Sequence, residues 1–183
     1  MKKQNVKLAP DELFEFAVKS LSRRAQSSAE IRSRLRLKAA AESDVDEVIA
    51  RLKECGYLDD RRFAENFAIS RLENEKFGKA RTLYDLRGRK VASPVAAAAV
   101  DQTYSGTDET SLIEDFIRRR YRFANRESLF QEDKDLATAY RRLLRAGFRS
   151  GAVIRVLKRF AKNPDLLDAV EPEDPLTEPS EES

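Results

Sequence analysis

Residues 52–64 have the sequence LKECGYLDDRRFA, in which one helix ends and another begins within a few positions. Glycine is the residue type that most often ends a helix in the left-handed conformation, and Gly56 is placed to do so here. Asp59 or Asp60 can then cap a new helix, whose apolar side starts at Phe63. One helix therefore ends here and the next begins, which predicts a boundary between two helical units.

Working outward from this boundary, the same three-helix pattern occurs before it, after it and once more beyond residue 105. In the first round, Pro10 suits the start of a helix, Ser27 and Glu30 have the spacing of a capping box, and Ser43 can cap a third helix. The later predicted helix starts are Asp59 or Asp60, Gly78, Ser93, Thr107, Asp133 and Ser150. Nine helices in three triplets are therefore expected.

A leucine marks the same place in each triplet. The middle helices end at Lys38-Ala39, Arg89-Lys90 and Ala146-Gly147, spaced by 51 and then 57 residues, and a leucine lies four positions before the second residue of each pair. This is a degenerate tandem repeat. The sequence predicts an all-α fold, a tandem array of three three-helix units that is elongated and curved.

The domain limits follow from these starts and stops. We expect a flexible N-terminus at 1–9, repeats at 10–58, 59–105 and 106–162, and an acidic, disordered tail at 163–183. The extra length of the third repeat falls in 122–132, which is interpreted as an extended loop.

Composition excludes several classes of function. The chain has no histidine, which rules out Ser-His-Asp and Cys-His catalysis and any metal site with an imidazole ligand. Gly78, Gly88 and Gly106 are isolated, so no glycine-rich phosphate loop is present. The single cysteine, Cys55, falls near Leu52 and is expected to be a small core residue. The prediction is a protein that is not an enzyme and needs no cofactor or metal.

Location follows from hydropathy. No apolar run approaches the roughly 18 residues needed to cross a bilayer. We expect the protein to be soluble, cytoplasmic and monomeric, without contact to a membrane.

The formal net charge of +3 conceals an asymmetry. Residues 165–183 contain eight acidic and no basic side chains, so the rest of the chain keeps all 35 basic residues and 24 of the 32 acidic ones, a net charge of +11. Such a body attracts anionic partners, either nucleic acid or an acidic protein groove.

Arginine forms most of the basic clusters, and its planar fork pairs with carboxylates and phosphates at two points. Clusters occur at 32–38, 76–81, 87–90 and 118–122, and the third repeat is the richest. The last predicted helix is basic, whereas the third helices of the first two repeats are not, which disfavours base reading along the whole chain. The candidate partner-binding residues are Arg118, Arg119, Arg122, Arg141, Arg142, Arg145, Arg155 and Arg159.

The segment Gly56–Ala64, GYLDDRRFA, resembles the junction motif of the RecX family of recombinase regulators. Segments 27–35, 78–86 and 142–148 resemble the middle helices of the three RecX units, so the likeness covers about residues 13–161. Three positions depart from the family pattern, because Ala39 and Lys90 stand where glycine is usual and Thr82 stands where an aliphatic residue is usual. The acidic tail lies outside the resemblance.

The resemblance implies a regulator that lodges in the groove of the RecA filament on single-stranded DNA and spans neighbouring protomers. It would suppress ATP hydrolysis and strand exchange, and so modulate recombinational DNA repair and the SOS response. DNA, single- or double-stranded, could also be touched through its phosphates. Two alternatives from the residues themselves stay open: a general basic DNA-binding protein, and a helical adaptor for another acidic protein.

Overall fold

The computed structural model describes residues 7–121, 130 and 132–167, and within these residues the fold is all-α, as predicted. Nine α-helices occur in this part of the chain, with one π-helical turn at Arg71–Glu75 and one 3₁₀ turn at Pro164–Leu167. The helices are α1 (Pro10–Leu21), α2 (Ser28–Arg36), α3 (Glu42–Glu54), α4 (Asp60–Ser70), α5 (Lys79–Gly88), α6 (Ser93–Thr103), α7 (Glu109–Arg120), α8 (Asp133–Arg145) and α9 (Ser150–Lys158).

The capping box predicted for α2 is confirmed. Ser27 Oγ accepts from the Glu30 backbone N–H at 3.1 Å, and the Glu30 carboxylate accepts from the Ser27 N–H at 3.0 Å. The cap predicted for α3 was wrong: the helix begins before Ser43, and the Asp44 carboxylate accepts from the N–H of Ala41 at 3.2 Å. A carboxylate three positions on can satisfy the first free N–H without a hydroxyl at the cap.

The junction at Gly56 is as the sequence predicts. Helix α3 ends at Glu54, Gly56 has a φ of 73°, and the Asp59 carboxylate caps α4 by accepting from the Arg62 N–H at 3.0 Å. Cys55 was wrongly expected in the core, because it follows the last residue of α3 and its side chain is exposed. The apolar spacing of α3 thus extends one position beyond the helix itself.

The chain divides into two compact units. One comprises residues up to Phe67 together with Leu86–Ala99, and the other comprises Ala68–Asp85 together with the residues from Val100 onward. Helices α4, α5 and α6 each contribute residues to both units. The division into three repeats stays a prediction.

Each unit has its own apolar core. In the first unit, α1 and α2 pack on α3, with Leu13, Val45 and Leu52 fully buried. In the second unit, α9 packs on α7 and α8, with Ile113 and Phe148 fully buried.

The repeat leucines Leu35, Leu86 and Leu143 are all fully buried, although the helix ends that follow them differ. Lys90 and Gly147 have φ angles of 58° and 87°, and the residue after each donates its N–H back to the marker leucine. Ala39 instead donates its own N–H to Leu35 at 2.8 Å without a left-handed residue. The two departures from glycine thus have different outcomes: Lys90 keeps the left-handed turn, and Ala39 does not.

Gly78 and Gly147 allow a close backbone contact within the second unit. The Gly78 N–H donates to the Ala146 carbonyl at 2.8 Å, and a Cβ on Gly78 would lie 2.2 Å from the Gly147 oxygen. A Cβ on Gly147 would lie 2.2 Å from the backbone nitrogen of Arg81. The start of α5 is therefore held against the turn between α8 and α9.

The predicted flexible and disordered ends are described only in part. Leu8 donates its N–H to the Lys38 carbonyl at 2.9 Å, and Leu167 at the other end is buried. Residues 1–6 and 168–183, and 122–129 and 131 of the predicted loop, lie outside the described residues. Among the helices that are described, none is long and apolar enough to cross a membrane.

Candidate functional site

A basic cleft of about 400 Å³ lies in the second compact unit, and we call it the arginine cleft. Its walls come from α5, α7 and α8 and its floor is aromatic. The residues that line it are Glu75, Phe77, Arg81, Phe116, Arg119, Arg120, Arg142, Arg145 and Ala146. Five guanidinium groups thus border the cleft, against one carboxylate.

Helix ends explain why arginines collect here. Arg119 and Arg120 belong to the last turn of α7, and Arg142 and Arg145 to the last turn of α8. The last carbonyl groups of a helix form its negative end, so positive side chains are favoured there. The C-terminal ends of α7 and α8 both border the cleft, so the positive side chains that each helix end favours are concentrated there.

Arg81 reaches the cleft because of the backbone contact at Gly78. That contact fixes the first turn of α5 beside Ala146, and Arg81 follows three residues later. Its Nε lies 2.9 Å from an Asp85 carboxylate oxygen, and its guanidinium group lies 5.8 Å from the centre of the Phe77 ring. The Arg81 side chain is therefore positioned by neighbours on its own helix and on the floor.

The floor of the cleft is formed by packed aromatic rings. The ring centres of Phe77 and Phe116 are 6.3 Å apart, and Phe116 lies edge-on to Phe148 at 5.8 Å. The backbone carbonyl of Phe77 accepts a hydrogen bond from the Tyr104 hydroxyl at 2.9 Å. An apolar group entering the cleft would meet a packed aromatic surface.

Nearby carboxylates are already paired with arginines. Glu75 pairs with Arg71. Asp85 lies 3.2 Å from Arg71 and 2.9 Å from Arg81, and its side chain is only 11% exposed. Since these acids are occupied, they leave the remaining cleft arginines unneutralised.

Three cleft arginines are exposed and available to a ligand. In the described part of the chain, Arg119, Arg120 and Arg145 make no ion pair with a carboxylate, and Arg145 only donates weakly to the Arg141 carbonyl at 3.4 Å. Arg142 is half-buried and donates to the Tyr121 hydroxyl at 3.4 Å. Exposed guanidinium groups on facing walls can pair with a carboxylate or a phosphate.

The predicted arginines are divided among several surfaces. Arg119, Arg142 and Arg145 line the arginine cleft. Arg118 and Arg159 both pair with Glu114, which lies outside it. Arg122 lies outside the described residues.

The other two predicted residues lie elsewhere on the second unit. Arg141 borders a separate hollow beside Leu136 and Leu167. Arg155 is exposed on α9 near Asp108. The pKa of Asp108 is lowered mainly by the hydrogen bond from the Ser111 hydroxyl. The positive charge of Arg155 lowers it least among the causes.

Sequence reasoning did not select Arg81 and Arg120 for the site. Arg120 adjoins two selected arginines, and Arg81 belongs to the cluster at 76–81 that was noted but not chosen. The signal that could have found Arg81 is the glycine three positions earlier, since glycine inside a helical pattern often marks a close backbone approach. No group of three or more His, Cys, Asp or Glu side chains suited to a metal occurs among the described residues.

Family models and related proteins identify the same family for this chain. Residues 14–52 match the model described as RecX, first three-helix domain, and residues 59–100 match RecX, second three-helix domain. The regulatory protein RecX of Haemophilus influenzae strain PittEE is 30% identical over 139 residues, covering 75% of this chain and 87% of that protein. The RecX protein of Chlorobium phaeobacteroides is 25% identical over 150 residues, covering 82% of this chain and 94% of that protein.

A solved structure shares the fold. The crystal structure of RecX from Lactobacillus salivarius superposes with a TM-score of 0.61 at 17% identity, covering 88% of this chain and 97% of that one. At this identity the likeness concerns the arrangement of helices alone.

Proposed function

Because this chain belongs to the RecX family of regulatory proteins, we propose that it binds the RecA filament on single-stranded DNA and inhibits its ATP hydrolysis and strand exchange. Through this inhibition it would modulate recombinational DNA repair and the SOS response. In this proposal the protein acts as a cytoplasmic monomer without a cofactor, and the ATP belongs to its partner.

The arginine cleft is the observation that best supports this function. The filament offers two kinds of anion, the phosphates of the DNA and the acidic side chains of the recombinase, and guanidinium groups pair with both. Arg119, Arg120 and Arg145 are the exposed members of the cleft. We propose them, with Arg142, as the main contacts to the filament.

The other predicted arginines are proposed as secondary contacts. Arg118, Arg122, Arg141, Arg155 and Arg159 carry positive charge on the same repeat. Arg118 and Arg159 would first have to release Glu114, which reduces what each can contribute.

Three repeats at 10–58, 59–105 and 106–162 would let one chain contact neighbouring protomers of the filament. Each contact can be weak, because linkage within one chain raises the effective concentration of the next contact. The expected inhibition is then steric and electrostatic, and it needs no chemistry by this chain.

A titration of this protein into cognate RecA hydrolysing ATP on single-stranded DNA tests the function. A binding curve on naked DNA at the same salt concentration is the companion measurement. We expect inhibition at concentrations several-fold below those that coat bare DNA. Inhibition that begins only when DNA is saturated would favour the general DNA-binding alternative, and no inhibition at a several-fold excess over RecA would contradict the proposal.

The net charge of the body keeps DNA binding as a second candidate. A body of charge +11 should bind naked DNA with an affinity that falls steeply as salt rises. Weak binding to naked DNA at physiological salt would remove this candidate while leaving filament binding intact.

A further inference from the structure

The arginine cleft offers both charged and apolar contacts, whereas a simple anion would use only the charged ones. Its walls are charged, through Arg119, Arg120 and Arg145, and its floor is apolar, through Phe77 and Phe116. A phosphate would contact only the walls. An acidic peptide with an apolar side chain would pair its carboxylates with the walls and lay the apolar group on the rings.

The chain itself contains such a peptide. Residues 168–183 have the sequence DAVEPEDPLTEPSEES, with seven acidic side chains and no basic one. Within it, Leu176 lies between Asp174 and Glu178, and Glu171 and Glu173 precede them. The segment 171–178 therefore has both components that the cleft would accept.

The end of the described chain lies within reach of the cleft. The turn Pro164–Leu167 packs on α9, and Leu167 lines a hollow together with Leu136 of α8. Arg145 is nine residues further along α8 than Leu136, which at a rise of about 1.5 Å per residue is roughly 14 Å. Five extended residues reach that far at about 3.3 Å each. Segment 171–178 lies four to eleven residues after Leu167, so all but its first residue is far enough along the chain to reach Arg145.

We propose that segment 171–178 binds in the arginine cleft of its own chain and competes there with the partner. This inference rests on the proposed function only for the identity of the competitor. A tether this short gives an effective concentration of about millimolar, so even a weak contact would occupy the cleft in the free protein. Salt should weaken the contact, because exposed charges are screened beyond roughly 8 Å at physiological ionic strength.

Paramagnetic relaxation in the full-length protein tests the contact without any partner. A spin label attached to the thiol that Ser180→Cys introduces, in a Cys55→Ser background, should broaden the amide signals of Arg119, Arg145 and Ala146. We expect their intensities to fall at least two-fold. The signals of α3, such as that of Glu47, should be unaffected.

Two variants make this measurement specific. The full-length chain with Glu171→Gln, Glu173→Gln, Asp174→Asn and Glu178→Gln keeps its length but loses the segment's charge, and it should lose the broadening. The double change Arg119→Glu and Arg145→Glu reverses the charge of the cleft instead, and it should also abolish the broadening. Broadening that survives both, or that affects α3 as much as the cleft, would overturn the proposal.

A mixed sample separates contact within one chain from contact between copies. Spin-labelled protein without isotope enrichment is mixed with ¹⁵N protein that carries no spin label. Broadening of the cleft signals in this mixture at equal strength would mean that the segment binds a second copy, which would overturn the intramolecular proposal. No broadening in the mixture is the expected result.

The consequence for regulation is measured separately. The charge-neutralised tail variant should inhibit RecA ATP hydrolysis at several-fold lower concentration than the wild type. If the relaxation contact is present but neither protein inhibits RecA, the tail contact stands and the proposed function fails. If both inhibit equally and the relaxation effect is absent, the proposed function stands and the tail contact fails.

Discussion

At the residue scale, Glu30 shows how one side chain serves two elements of the first compact unit. It completes the cap of α2 and also accepts from Arg89, whose Nε lies 2.9 Å from one carboxylate oxygen and whose second donor lies 3.1 Å from the other. Burial raises the pKa of Glu30, but the Arg89 hydrogen bond, the Ser27 N–H and nearby positive charges lower it by more. Its net pKa lies below the usual carboxyl value.

The change Glu30→Gln should lower the free energy of unfolding by about 1–2 kcal/mol at neutral pH, because the bonds to Arg89 lose their charge. A group with a lowered folded pKa stabilises above its unfolded pKa, and that stabilisation disappears as pH falls through the folded pKa. The difference between wild type and variant should therefore stay constant from pH 7 to about pH 5 and shrink as pH falls further, through the ordinary carboxyl pKa and below it.

Urea unfolding followed by far-UV circular dichroism at several pH values measures this difference. The exposed Glu47→Gln on α3 is the matched control and should change stability little at any pH. A difference for Glu30→Gln that stays constant as pH falls would show that its carboxylate charge is not what stabilises the fold.

At the element scale, close backbone contacts set the positions of the helices more than helix propensity does. Gly147 ends α8 with a φ of 87° and faces the backbone of Arg81 at the start of α5. The sequence predicted the start of α8 at Asp133, as observed, since helix starts and apolar spacing are local signals. It could not predict that α5 lies on this turn, because the contact joins residues nearly 70 positions apart.

The change Gly147→Ala should destabilise the protein by more than about 1 kcal/mol, because alanine disfavours a positive φ and its Cβ would meet the Arg81 nitrogen. Gly151→Ala is the matched control. Gly151 lies in the first turn of α9 with nothing within 4 Å of an added Cβ, so alanine there should stabilise by about 0.4–1 kcal/mol. Urea midpoints of the two variants with equal and same-signed shifts would contradict this account.

The limits of sequence reasoning at this scale are visible in two residues. Lys90 occupies a left-handed position without being glycine, so the repeat predicted a helix end there but the residue type gave no sign of its backbone conformation. Cys55 fits the apolar spacing of α3 but follows its last helical residue, where the periodicity no longer determines which side is buried. Local patterns predicted the helices well and their exact ends less well.

At the scale of the whole molecule, the candidate site was predicted in part. The excess of arginine in the third repeat pointed to Arg119, Arg142 and Arg145, which the fold brings into one cleft. The same excess also pointed to Arg118 and Arg159, which share Glu114. Composition reports where charge is abundant, but only the fold decides which charges are already neutralised.

The charge asymmetry between the body and the tail belongs to this scale as well. A chain with a +11 body and an eight-carboxylate segment at 165–183 should change its behaviour with salt. If segment 171–178 occupies the cleft, moderate salt would release it while also weakening the filament contact. The inhibition of RecA should therefore vary with salt less steeply in the wild type than in the charge-neutralised tail variant.

The measurement that tests the central claim most directly compares two charge-reversed proteins as inhibitors of RecA ATP hydrolysis on single-stranded DNA. One has Arg119→Glu with Arg145→Glu in the arginine cleft. The other has Arg23→Glu with Arg24→Glu in the turn that follows α1, with the same change in net charge. The account predicts at least a ten-fold loss of inhibition for the first protein and less than a three-fold loss for the second. Equal losses, with both proteins folded by circular dichroism, would contradict the claim that the cleft is the surface that binds the filament.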